Sequence, residues 1–470
     1  MLSFFKINDP LRLIVLFILL VIIRLPIWLS EIPLLTEEIH WLTLGEKLAE
    51  GKAMYRDVWD NIAPLSAGVY WFAAKFLGGS RTSLFVIAAF LTALQSLLFN
   101  SMMNRSEAYK QKTFIPGFTF LIFSNMSFDF MTLSPALISL TFLLMGLRSL
   151  LRMERTDTEQ SILNTGLFFG LASLAYLPSF SFLLMGIFAL ASFRVSSFQR
   201  LFLAFIGFTI VWGGYLIYLY YIEALQSFIK CCFLSLGWND HIFIQTWDQL
   251  LILMVIPAII FVLGALKTFS YNAFVNSQQS IQQVMLIWVI TAILSLVFSL
   301  YTTSFQLILF VPSLAFFSAH ELLLIRRSMF GELTLWIYST VLLVIMYATA
   351  FTVLPKKIES PYTNSFSVEV PNFDEYGEKI LIFGDDFNYL KEHKLATGYL
   401  NWDVSKNFFD KIDSYDEIRA IYNAFEEDMP DAIVDLNGKG AEVLEYLTII
   451  KTQYSKNQLD NGVTIYAKIK

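Results

Sequence analysis

The stretch from Pro33 to Gly68 concentrates the residues able to do chemistry. It carries an acidic pair, Glu37-Glu38, and then the interleaved Tyr55-Arg56-Asp57 and Trp59-Asp60. Carboxylates and a guanidinium set among aromatic rings suit the binding of a polar head group at a membrane surface. A second polar stretch, about 222–249, adds Lys230, Trp238-Asn239-Asp240-His241 and Trp247-Asp248. Plainer uses exist for the same groups. Glu37 and Glu38 follow Thr36, an N-cap type, where acids complement the helix dipole. Asp57, Trp59 and Asp60 also read as interfacial anchors and solvated charges, and Lys230 as a snorkelling cation. Cys231-Cys232 reads as an apolar helix patch, and two cysteines are too few for a disulfide framework. Asp385-Asp386 follows a strand pattern; it could mark a metal site, but the plainer reading, a cap on the next helix, is preferred. His40, His241, His320 and His393 are scattered without metal-ligand spacing. His320-Glu321, near the cytoplasmic end of an apolar run, is expected to meet head groups.

The elements that must position these groups are mostly membrane helices. The chain is 56% hydrophobic and only 15% charged, against about 25% charged in soluble domains. Apolar runs near twenty residues predict about eleven transmembrane helices: 11–29, 82–103, 113–131, 133–150, 162–177, 179–193, 201–221, 249–267, 282–301, 304–323 and 333–354. The first reads as a retained span, not a cleaved signal peptide. The fifth and sixth are short, are separated by Pro178, and could form a partly re-entrant pair. Lys and Arg gather in alternate loops: Lys6 and Arg12; Arg105, Lys110 and Lys112; Arg148, Arg152 and Arg155; Arg194 and Arg200; Lys267; Arg326-Arg327. Cytoplasmic loops carry this excess, so the N-terminus is expected inside and the C-terminal region outside. The net charge of −6 is unevenly placed, and nothing in the composition calls for a nucleic-acid partner.

The first outer loop, 31–81, predicts a helix after Thr36 with Trp41, Leu44 and Leu48 on one face and Glu46, Lys47 and Glu50 on the other. A second apolar helix follows, about Leu65 to Leu77. Both patterns suit helices lying in the interface. After Pro355 the composition turns soluble. Strands are expected at 379–384, 432–436 and 463–469, and helices at 386–393, 414–427 and 440–452, an α/β alternation.

The first loop resembles that of the GT-C superfamily of membrane glycosyltransferases, in the bacterial branch similar to protein mannosyltransferases and aminoarabinose transferases. The resemblance rests on Glu37-Glu38 after the first span, Gly51, Tyr55-Arg56-Asp57 and Pro64-Leu65. It extends to Gly166 and Gly170, to Leu307-Ile308-Leu309-Phe310-Val311-Pro312, and in the tail to Ile382-Phe383-Gly384, Asn388-Tyr389, Thr397-Gly398-Tyr399 and Pro430-Asp431-Ala432-Ile433-Val434. It implies a polytopic α-helical GT-C-like membrane domain, 1–355, and an extracytoplasmic (periplasmic) α/β domain, 356–470, in a cell inner membrane.

The resemblance also implies an activity: transfer of a hexose or pentose from a polyprenyl-phosphate donor to a glycan, lipid or protein acceptor on the outer face. A divalent cation is a possible cofactor; no metal ligand is assigned. Glu37 stands at the acidic residue that acts on the acceptor, with Glu38 its companion. A carboxylate there can take the acceptor's proton, and a cation can stabilise the departing phosphate. Three positions depart from the family: Ile62 replaces a Lys, Leu177 a basic residue, and Phe305-Gln306 a His-Tyr. Arg56 and Lys230 are then the candidates for the phosphate contact, with Tyr55, Asp57 and Asp60 completing the substrate site. The alternatives are a non-catalytic GT-C-like scaffold or assembly protein, and a transporter of lipid-linked precursors. The transporter draws on Asp129, an acid expected at the outer end of the third span.

Overall fold

A computed structural model describes residues 1–470 apart from 157–158, 193–197, 235–241, 272–273, 355–359, 371–375, 410–414, 459–462 and 470. The stretch 238–241 of the second polar loop, Arg194 and Pro355 lie outside the described residues. The chain forms two compact units, one of 1–32, 82–215 and 238–365, the other of 33–81, 216–237 and 366–470.

The first unit is helical. Among the described residues the chain has eight helices long and apolar enough to cross a membrane: Leu11–Trp28, Arg81–Arg105, Pro135–Arg152, Phe198–Tyr221, Trp247–Phe269, Asn276–Val297, Ser304–Leu324 and Met329–Ala350. This is a multi-pass membrane protein. The other three expected spans are short helices. Residues 113–131 form Ile115–Phe123 and a 3-10 turn, Phe128–Met131, because Ser124, Asn125, Ser127 and Asp129 interrupt the apolar run. Residues 162–177 form Glu159–Ala175. Pro178 then opens a 3-10 turn, Leu177–Ser181, ahead of Phe182–Ser192. Packing sorts the long helices. Ser304–Leu324 is 89% buried at the centre, whereas Phe198–Tyr221 is 11% buried. On Leu11–Trp28 the exposed Leu11, Ile14, Ile18, Ile22 and Leu25 recur at helical spacing, a stripe suited to lipid contact.

Polar groups inside this unit are served internally, as burial in an apolar medium demands. Arg24 is fully buried; it donates to Asn125 Oδ1 (2.8 Å), Thr92 Oγ1 (2.9 Å) and the carbonyls of Phe130 and Met131. Asp129 accepts from the hydroxyls of Ser127, Ser304 and Tyr362. Together these bonds fix the 3-10 turn. His320 and Glu321 do not reach head groups. His320 is buried among the rings of Tyr109, Phe274 and Phe316, and buried Glu321 accepts from the Tyr338 hydroxyl at 2.8 Å. The apolar run simply continues around them.

The second unit joins the first loop, a short stretch around Lys230 and the C-terminal residues. Its helices are α1 (Thr36–Ala49), α2 (Pro64–Leu77), α3 (Trp402–Phe409) and α4 (Tyr415–Glu427). Its strands are β1 (Lys379–Phe383), β2 (Lys394–Leu395), β3 (Ala432–Asp435), β4 (Tyr454–Gln458) and β5 (Thr464–Lys468). The sheet order is β2-β1-β3-β5-β4; β2, β1 and β3 are parallel, and β5 and β4 join antiparallel. The central strands are buried on both faces and read as the apolar runs KILIF and AIVD. The helix expected over 386–393 is only a 3-10 turn, Phe387–Leu390, capped by Asp386 through Asn388 N (3.0 Å), so Asp386 is a cap. That expected over 440–452 breaks at Leu447 into Lys439–Tyr446 and Thr448–Lys451.

Candidate functional site

The residues named for the transfer site, Glu37, Glu38, Tyr55, Arg56, Asp57, Asp60 and Lys230, all lie in the second unit, the two glutamates on α1. That helix starts one residue earlier than expected: Leu35 is the N-cap, and Thr36 opens the helix. No side chain at Leu35 can cap, so Glu38 reaches back and accepts from the Leu35 N–H at 3.0 Å. Arg81 Nε stands 3.2 Å from the same Glu38 oxygen. Glu38 is fully buried and holds the helix end. Glu37 differs. It is half-buried, and its carboxylate accepts from the Thr36 hydroxyl at 3.2 Å.

Glu37 shares a helix face with His40, three residues on. His40 Nε2 lies 2.9 Å from Asp60 Oδ2, and its ring stacks on Phe387 at 4.6 Å. Asp60 is fully buried; its other oxygen accepts from the Asn61 N–H (2.7 Å) and the Asn401 amide (3.3 Å). Tyr55 is also fully buried. Its backbone takes φ +66°, and its hydroxyl donates to the Ile62 carbonyl at 2.6 Å. Its ring meets Phe228 edge-on at 4.9 Å, on the stretch that carries Lys230. Lys230 is half-buried on a π-helical turn, Ile229–Leu234, with buried Cys231 and Cys232 beside it.

Arg56 and Asp57 form a flat two-point pair, Nε–Oδ1 2.8 Å and Nη2–Oδ2 3.0 Å. Asp57 also accepts from the Ala53 N–H at 2.8 Å. Burial works against the Asp57 charge, but Arg56 and that N–H more than offset it and hold the carboxyl below its ordinary value. The structure thus brings Tyr55, Asp60 and the Lys230 turn together around one buried seam, and turns Arg56 and Asp57 outward. Among the described residues no group of three or more His, Cys, Asp or Glu side chains is placed to hold a metal ion.

The expected apolar stripe of α1 is buried, with Trp41 stacked on Tyr70 of α2 at 5.8 Å. Gly45 permits that approach, since a Cβ there would stand 2.7 Å from the Tyr70 carbonyl oxygen. The opposite face is not simply solvated. Lys47 is buried and pairs with Asp428 (2.9 Å) and Glu50 (3.1 Å). Burial alone would raise the Asp428 carboxyl; hydrogen bonds from Lys379 and Lys47 hold it below its ordinary value. The loop is stitched to the C-terminal residues elsewhere too. Trp59 N donates to the Gly398 carbonyl (2.8 Å), Asn401 N to the Trp59 carbonyl (3.3 Å), and Ser367 N to the Leu34 carbonyl (2.6 Å).

Sequence reasoning missed His40, Arg81, Lys47 and Asn401. Only His40 had a local signal, its helical spacing from Glu37. Arg81 meets Glu38, Lys47 meets Asp428 and Asn401 meets Asp60 across 43 residues or more, a separation no local pattern encodes. Asp385 was noted and has a distinct environment. Its side chain reaches solvent but is crowded by protein; lost hydration first, and the nearby Asp403 second, push the carboxyl up to about 6.

No protein-family model and no curated protein matches the chain. Solved structures do. ArnT from Cupriavidus metallidurans, bound to undecaprenyl phosphate, aligns over 98% of this chain and 99% of its own, with TM-score 0.60 and 10% identity. The oligosaccharyltransferase of Archaeoglobus fulgidus in its apo form aligns over 97% of this chain and 74% of its own, with TM-score 0.51 and 12% identity. Both are GT-C superfamily members. At these identities the likeness shows the fold, and this chain has the GT-C fold.

Proposed function

We propose that the protein transfers a sugar from a polyprenyl-phosphate-linked donor to an acceptor at the outer face of a cell inner membrane. The observation that carries this is Glu37. Among the two candidate acids of α1 and the buried Asp60, it alone has exposed surface. It stands on the first turn of α1, beside the His40–Asp60 pair, in a fold that ArnT with its bound undecaprenyl phosphate matches end to end. In the transfer the acceptor's O–H or N–H proton passes to the Glu37 carboxylate. The acceptor atom bonds to the anomeric carbon, and the bond from that carbon to the phosphate oxygen breaks with its electron pair going to the lipid phosphate. Lys230 and Arg56 are the cations proposed for that phosphate; Asp57 already holds the Arg56 guanidinium at two points. Tyr55 and Asp60 shape the site from beneath.

Complementation of a deletion strain, read by glycan profile and protein level together, tests the reading. Gln keeps the shape of Glu37 and cannot take a proton. Glu37→Gln should therefore lower transfer about 10²–10⁴-fold at unchanged protein level, and full complementation by a normally expressed variant would end the transferase reading. A scaffold is the second reading. It is favoured by one fact: Glu38, Tyr55, Asp57 and Asp60 all spend polar atoms on internal hydrogen bonds. Under it Glu37→Gln is silent.

A further inference from the structure

We infer that a cleft in the second unit, separate from the Glu37 turn, binds a single neutral sugar unit. This goes beyond the proposed transfer and does not depend on it, since a scaffold could hold a glycan in the same way. The cleft has a volume of about 200 Å³ and lies between the Lys52–Trp59 stretch, residues 397–399 and α4. It is below the ~300–1,000 Å³ of most drug-sized sites, so one ring fits and a long chain does not.

Charge decides against an anion. The wall holds two cations and two carboxylates, already paired as Lys52 with Glu427 (2.9 Å) and Arg56 with Asp57 (2.8 Å). A phosphate or acidic sugar would have to break one of these pairs. A neutral polyol needs both donors and acceptors at close range, which paired charges offer at their outer edges. Trp59 and Tyr399, packed edge-on at 4.7 Å, add aromatic surface for the apolar C–H side of a ring.

Two hydroxyls point the same way. Thr397 and Tyr399 line the cleft and are 4% and 5% exposed, yet neither hydroxyl has a hydrogen-bond partner among the described residues. A buried hydroxyl without a partner is unfavourable, and a ligand hydroxyl that reaches it would supply the missing bond. Thr397 also sits at φ +58°, a conformation disfavoured for a β-branched residue. On α4, Ala420 and Ala424 keep the space open.

The test uses the full-length protein in lipid nanodiscs, with neutral methyl glycosides of glucose, mannose and galactose as probes and inorganic phosphate as the anionic control. Saturation-transfer NMR and thermal shift report binding. At least one glycoside should bind saturably and phosphate should not. Tyr399→Phe removes only the unpartnered hydroxyl; it should weaken binding about tenfold, the worth of one hydrogen bond, while the ligand-free thermal midpoint stays level or rises. Ala420→Leu should fill the cleft and abolish binding. Absence of saturable binding by all three glycosides, binding of phosphate instead, or glycoside binding untouched by Tyr399→Phe would overturn the inference, and the last remains decisive if Ala420→Leu fails to fold. Transfer activity is not the readout, so loss of the transferase reading leaves this result independent.

Discussion

Glu37 and Glu38 are adjacent and chemically identical, and their surroundings separate them. Glu38 is buried, caps α1 and faces Arg81. Glu38→Ala should cost about 1–2 kcal/mol, a lost cap together with the loss of its pairing to half-buried Arg81. The thermal midpoint should fall by several degrees, whereas Glu37→Gln should leave it unchanged; equal effects on stability would contradict this division. Asp385 carries a pH signature. Its folded carboxyl is pushed up to about 6 from an ordinary 3.8. The native protein therefore binds that proton more tightly than the unfolded chain, and the stability linked to it is lost as pH rises from about 4 to about 6. Asp385→Asn should raise the thermal midpoint near pH 7.5 and much less near pH 4. A shift of the same size at both would rule the linkage out.

At the scale of elements, α1 is held by its charged face as well as by its apolar one. The Lys47–Asp428 pair is buried on both sides, and removing one partner from a buried pair costs about 3–5 kcal/mol. Lys379 still reaches Asp428 at 2.6 Å, which places Lys47→Ala near the lower end. A thermal scan of the whole protein checks it, and a change under about 1 kcal/mol would show the pair to be dispensable. Asp428, with its lowered carboxyl, supports folding above its ordinary range and loses that support as pH falls, the opposite sense to Asp385. The three expected strands and α4 were legible because each is a run whose own pattern matches its element. Strand β4, YSKNQ, was not: four of its five residues are exposed, and it owes its conformation to pairing with β5.

For the whole molecule, the alternation of Lys and Arg along the chain predicts a cytoplasmic N-terminus and an outer C-terminal region. We propose that orientation, and reporter fusions after Ser360 test it: activity of a periplasm-dependent reporter is expected, and a cytoplasmic signal would sink both the topology and the transfer reading built on it. The exposed Phe72, Phe76 and Leu77 of α2 fit a helix at the interface in that arrangement.

What the sequence determined by itself was whatever is local or compositional. Apolar runs, their spacing and the change of character after the last span suffice for a polytopic helical protein with an α/β tail, because each span must satisfy its own backbone bonds in lipid. The acidic pair and Tyr55-Arg56-Asp57 were visible for the same reason: they are contiguous. Which carboxylate is buried and which is reachable was decided by tertiary structure alone. Arg81 lies 43 residues from Glu38, Asn401 lies 341 from Asp60, and Asp428 lies 381 from Lys47. Burial and pairing at such separations come from packing, and packing assigns different tasks to two neighbouring glutamates that no pattern in the chain distinguishes.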